Sequence, residues 1–194
     1  VDGLKMSFSA STDNGAAAST TYKVDAHYGI GATYVTTAGD TTVTLGFGLS
    51  ETEGTTLNTS PSNDEGGVHM GISAVTGDLT VAVGFADGDS IESITASTPA
   101  EEVDGEVVAV GAKYVTGDLT FNVGAVSGEA HDNSFGGTDR SGEDSTEKVS
   151  ASVSYAVASG VTAILGYTNV ESQNEGAADT KDGSAWYIGA NMSF

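Results

Sequence analysis

Few residues in this sequence could do chemistry, and they are widely spaced. Histidine occurs only at His27, His69 and His131, and cysteine is absent, so a disulfide framework and a thiol nucleophile are excluded and no thiolate zinc site can form. Proton transfer to a serine would need a histidine and a carboxylate ordered behind it, and sequence spacing assembles no such set. The nearest approach is Asp87, Asp89, His131 and Asp132, which an enzyme could gather at one rim of a β structure. Solvated loop acids are the simpler explanation and the one expected. Asp87-Gly88-Asp89-Ser90 offers oxygen ligands of the kind Ca²⁺ takes, but no complete calcium-loop pattern follows. Plain solvation, with screening by salt, is the expected state of these acids; Ca²⁺ is the weaker alternative, and no other cofactor is expected. A second group, Lys5, Lys23, Asp25, His27, His69, Lys113 and Lys148, lies within alternating stretches or at their ends. Lining a water-filled passage, such charges would bias which ions pass; otherwise they solvate a wall or pair with one another.

The elements that would carry them read as strands. In the last stretch, Trp186, Ile188, Ala190, Met192 and Phe194 alternate with Tyr187, Gly189, Asn191 and Ser193, which gives one apolar face and one small or polar face. The same period of two runs through Leu4–Ala10, Tyr22–Tyr34, Val43–Leu49, Val68–Ala74, Leu79–Phe85, Val108–Tyr114, Leu119–Ala125, Val149–Val157 and Val161–Tyr167. Ten strands are therefore expected. Ala74-Val75-Thr76-Gly77-Asp78-Leu79-Thr80-Val81 returns about forty residues later as Tyr114-Val115-Thr116-Gly117-Asp118-Leu119-Thr120-Phe121. Weaker copies centre on Gly39-Asp40 and Ser159-Gly160. A propeller repeat of that length needs four strands, whereas each copy here holds two long ones, so the array is one of hairpins.

Short Gly- and Asp-bearing turns of three or four residues alternate with long polar connections, at Ser11–Thr21, Glu51–Gly67 (with Pro61), Asp87–Asp104, Gly128–Glu147 and Glu171–Gly183. On this reading the long connections hold most of the acids. Only Asp2, Asp25, Asp40, Asp78 and Asp118 fall in strands or at the short-turn end. The long loops gather on one rim and both chain ends on the other, which is the asymmetry of a transmembrane barrel.

Composition agrees. Six basic residues against 27 acidic ones, a net charge of -21, leave nothing to neutralise phosphates, so nucleic acid is excluded as a partner. No apolar run is long enough for a membrane helix, while a membrane strand needs only about 9–11 residues. The face opposite the apolar one is mostly Gly, Ser and Thr, too small to fill a narrow barrel, which points to a wide, wet lumen with lipid outside. Lys5, Lys23, Asp25, His27, His69, Lys113, Asn122, Lys148 and Asn191 are its expected pore-lining members. Tyr34, Tyr114, Tyr155 and Phe194 fall beside the short turns, and Phe47, Phe85, Tyr167 and Trp186 toward the other end. These are the levels at which an amphipathic ring meets a membrane interface. The single arginine, Arg140, falls in a loop.

The repeated Tyr-x-Val-Thr-Gly-Asp-Leu-Thr-type hairpins, the Gly-rich face and the terminal aromatic resemble the general porins of alphaproteobacterial outer membranes, along essentially the whole chain. The resemblance implies a trimer of sixteen-stranded antiparallel barrels in the outer membrane of a Gram-negative bacterium, in contact with the bilayer and outer-leaflet lipopolysaccharide. It implies extracellular long loops, periplasmic chain ends and passive diffusion of ions and small hydrophilic solutes. Ten strands would be the last ten of the sixteen, so residues 1–194 form one barrel domain, incomplete at its N-terminus. The chain opens on Val1 without a signal peptide, as a processed or partial chain would. The alternatives are a complete ten-stranded barrel acting as a surface enzyme or adhesin, and a soluble β-rich surface protein.

Overall fold

The computed structural model describes residues 2–12, 22–56, 62–91, 102–132, 143–173 and 180–193. Phe194, Pro61 and Arg140 lie outside them, as do most or all of the residues between the paired strand ends at the long-connection rim. Ten strands form one antiparallel sheet in sequence order: β1 (Leu4–Thr12), β2 (Tyr22–Ala38), β3 (Thr41–Thr56), β4 (Ser62–Thr76), β5 (Leu79–Ile91), β6 (Glu102–Thr116), β7 (Leu119–Asp132), β8 (Glu143–Ala158), β9 (Val161–Gln173) and β10 (Thr180–Met192). Each strand pairs with the next, and β1 and β10 make no contact with each other, so the sheet is open along both edges. Among the described residues no helix is long and apolar enough to cross a membrane, which bears only on helices.

The short connections are tighter than their composition suggested. Gly39-Asp40, Gly77-Asp78 and Gly117-Asp118 are two-residue turns in which the glycine takes φ of 62°, 55° and 56°. A left-handed first residue matches the right-handed twist of the flanking strands, and only glycine adopts it without steric cost. In Ser159-Gly160 the left-handed residue comes second, at φ 76°. There the β8–β9 pairing shifts register between Ala156 and Ala158.

The long connections are much shorter than the sequence suggested, because the strands continue through the acidic stretches. Asp87 and Asp89 belong to β5, Asp104 and Glu106 to β6, Glu129 to β7, Glu147 to β8 and Glu171 to β9. Expecting the acids to sit in loops was therefore wrong for these residues. The reason is that alternation persists while the outward residue changes from apolar to carboxylate, which removes the apolar signal without ending the strand. Nine of the strands run for 13–17 residues, well beyond the roughly 9–11 that span a bilayer.

No hydrophobic core exists among the described residues. Ala26, 5% exposed, is the one buried hydrophobic side chain, whereas Phe8 and Trp186 are each 73% exposed and Ile188 87%. Leaving a large apolar side chain in water forgoes about 1.5–3 kcal/mol. A sheet with this many of them on one face requires an apolar medium against that face.

Candidate functional site

Register sorts the side chains into two faces. On one, the row Tyr34–Leu45–Ile72–Val83–Val110–Ala125–Val149 crosses seven strands without a polar residue. The neighbouring row on the other face runs Lys5–Thr33–Gly46–Gly71–Gly84–Ala109–Val126–Lys148. The apolar stripe covers about four outward residues per strand, for example Val108 to Tyr114 on β6. It ends toward the long connections in carboxylates of the same phase. Leu49 gives way to Glu51, Phe85 to Asp87, Val108 to Glu106 and Val149 to Glu147. Asp87 faces Glu106, Glu106 faces Glu129, Glu147 faces Glu171 and Glu171 faces Asp182. Directly opposed like charges repel, so this margin is held by the backbone ladder, with screening by the surrounding solution easing the repulsion.

The aromatic candidates fall on the apolar face. Tyr34 lies opposite Leu4 and Leu45, Tyr114 opposite Leu79 and Phe121, and Tyr155 opposite Leu119 and Ala163, all near the short turns. At the stripe's other end Trp186 stacks obliquely on Tyr167, ring centroids 4.7 Å apart and planes at 49°. Two hollows indent this same face, about 970 Å³ between Phe8, Tyr28, Leu49 and Val68, and about 510 Å³ over the small residues Ala74, Ala112, Ala125 and Ala151. The first is also lined by Glu51, Glu65, Asp87, Asp89 and Asp104, with Gly66 N donating to Asp89 Oδ1 at 2.9 Å, whereas no charged side chain lines the second.

Lys5, His27, His69, Lys113, Asn122, Lys148 and Asn191 share the polar face. His69 lies opposite Gly48, and its ring occupies the space a Cβ there would need. His27 Nδ1 is 2.9 Å from Thr52 Oγ1 across the β2–β3 pairing. Lys113 lies between Thr80 and Asn122, and Asn122 Nδ2 donates to Ser152 Oγ at 3.3 Å. Asn191 lies opposite Thr162. Asp25 departs from this arrangement. A bulge between Val24 and Ala26 leaves Asp25 out of register, and the side chain of Lys23, just beyond it, lies outside those described. The acids and histidine considered for catalysis divide likewise. Asp89, Asp104 and His131 form one row on the apolar-phase face, while Asp132 pairs with Val103 in the next row. Among the described residues no three His, Asp or Glu side chains are grouped to hold a metal ion.

Three polar-face residues and one polar-face contact escaped the sequence reading. Lys181 lies opposite Ser172, Glu65 opposite Thr52, Asp144 opposite Ala130, and the Tyr187 ring covers Gly166. Parity counted through the acidic stretches would have found all but the last.

A one-layer antiparallel sheet, coreless, apolar on one face and hydrophilic on the other, is a wall of a membrane barrel. The chain belongs to the Gram-negative porin family, which matches residues 1–177. No curated protein matches it. Among solved structures its fold is similar to the outer membrane channel DcaP of Acinetobacter baumannii, with a TM-score of 0.71, 13% identity, and 99% of this chain and 59% of that one covered. It is likewise similar to a porin, at 0.63, 17%, 100% and 59%, and to OccK10 (OpdN) of Pseudomonas aeruginosa, at 0.62, 14%, 98% and 57%. The chain thus spans less than three-fifths of the length of each of these structures.

Proposed function

We propose that this chain forms part of the wall of an outer-membrane channel that lets ions and small hydrophilic solutes diffuse passively, with the polar face as its water-lined lumen. One observation carries the reading: a continuous apolar stripe occupies one face of the sheet and mostly Gly, Ser, Thr and charged residues the other, with no core among the described residues. Lys5, His27, His69, Lys113, Asn122, Lys148 and Asn191 line the passage, and Tyr34, Tyr114, Tyr155 and Trp186 mark the lipid boundaries, with Phe194 assigned to the same boundary from the sequence. The protein acts as a sieve and catalyses nothing.

Lipid cannot satisfy the open edges of β1 and β10, so further strands pair with them. The chain's share of the similar structures leaves room for about six, and we take the chain to be the C-terminal part of a sixteen-stranded barrel of the alphaproteobacterial type that its hairpin repeats resemble. Also proposed are a trimer contact on part of the aliphatic face and outer-leaflet lipopolysaccharide beside the carboxylate margin. On this reading the long connections are extracellular and the chain ends periplasmic.

Reconstituted into liposomes, the full-length protein is expected to let sugars enter at rates that fall with solute size. Liposomes that swell no faster than protein-free ones would sink the proposal.

A further inference from the structure

We infer that the lumen favours small anions, chloride and phosphate- or carboxylate-bearing solutes, over cations; this rests on reading the polar face as a lumen. The net charge of -21 suggests the opposite. What decides it is where the charges stand. Level with the apolar stripe, the polar face carries Lys5 and Lys113, with His69 between them in chain order and Lys148 at the stripe's upper margin, and no carboxylate. Among the described side chains the carboxylates of that face, Glu65 and Asp144, stand beyond the stripe toward the long connections, the rim at which Asp132 also pairs with Val103, and Glu65 and Asp144 each have a partner. The turn aspartates Asp40, Asp78 and Asp118 end the strands at the opposite rim. The remaining strand acids belong mainly to the apolar-phase face, outside the wall, as the cross-strand pairs of Asp87, Glu106, Glu129, Glu147 and Glu171 show.

The wall also supplies donors that suit an anion. Asn122 and Ser152 stand beside Lys113, and Ser7, Ser9 and Thr33 surround Lys5 in phase or across the pairing. At one Debye length from a lysine, about 10 Å in 0.1 M salt, screened attraction in water is about 0.15 kcal/mol for an anion, with equal repulsion for a cation. Together these change the anion-to-cation ratio about 1.7-fold per lysine, and a low-dielectric wall raises the effect.

The test uses the full-length protein from outer-membrane extract, inserted in a planar bilayer under a KCl gradient. The reversal potential should have the sign of chloride selectivity. Lys5→Gln and Lys113→Gln should each lower the chloride-to-potassium permeability ratio about 1.5- to 2-fold and Lys113→Glu about threefold, while Glu106→Gln on the other face leaves it unchanged. A non-selective or potassium-selective wild type would overturn the inference while leaving the channel intact. So would a ratio that Lys113→Gln does not move, or that Glu106→Gln moves as much. Absence of any conductance overturns the channel reading and the inference with it. If the variants do not fold, the wild-type sign decides alone.

Discussion

Two adjacent residues on β6 offer a direct test of which face meets lipid. Val110 sits mid-stripe, 52% exposed, between Val83 and Ala125 on the flanking strands and between Val108 and Ala112 along its own. Ala109 points to the other face, between Gly84 and Val126. An arginine at 110 finds only aliphatic neighbours at the depth where a lipid-facing cation costs about 2–4 kcal/mol. An arginine at 109 enters water beside a glycine and a valine, where a substitution stays within about 0.5 kcal/mol. The contrast of about 3 kcal/mol is more than a hundredfold in the folded-to-unfolded ratio. It would displace a urea midpoint by roughly 1–3 M for an m-value of about 1–3 kcal/mol/M. The assay is equilibrium unfolding of the full-length protein in phospholipid vesicles. Fluorescence reports the transition, with Trp186, the one tryptophan of this chain, on β10 as the natural probe. Equal costs for Val110→Arg and Ala109→Arg, or a larger cost at 109, would refute the assignment of faces.

Three further outcomes follow from particular contacts. Gly77→Ala forces a side chain into left-handed backbone and should cost about 1–2 kcal/mol in the same unfolding assay, with Gly77→Asn costing less. Gly48→Ala should destabilise by about 1–3 kcal/mol because the His69 ring fills the space above it, and His69→Ala should remove most of that cost. A double-mutant cycle that finds the two additive would exclude the contact. Finally, the carboxylates opposed across β5–β10 should make this margin sensitive to salt, so amide exchange near Glu106 and Glu171 should slow as NaCl rises toward 1 M. Exchange there that ignores salt would show the repulsion to be negligible.

The legible part of this fold is the part governed by a period of two. Val108, Val110, Ala112 and Tyr114 announce a strand and its outward face because every second residue meets the same medium. Glu106 and Asp104 continue that strand in the same phase, but the medium has changed, so a reading tuned to apolar alternation stops at Val108 and calls the acids a loop. The register shift in β2 escapes a sequence reading for a different reason. The bulge at Asp25 inverts parity, and no local residue type marks it. His69 over Gly48 and Tyr187 over Gly166 depend on register between strands, which becomes visible only once the strands are paired.

Charge shows the same limit in its sharpest form. Summed along the chain it gives a strongly acidic protein, and a sum has no side. Once register assigns a face to each residue, lysines such as Lys5, Lys113 and Lys148 fall in phase with glycine, serine and threonine, and most strand acids in phase with valine, leucine and phenylalanine. Physical chemistry gives a reason for the split. A carboxylate in phase with the stripe is tolerable only beyond the apolar medium, while a lysine within the stripe's height is tolerable only on the wet face. Depth and phase together therefore restrict where each charge can stand. On the proposed reading, what this wall adds to the lumen's field comes from the few residues that satisfy both conditions, and the overall balance of the chain is a poor guide to it.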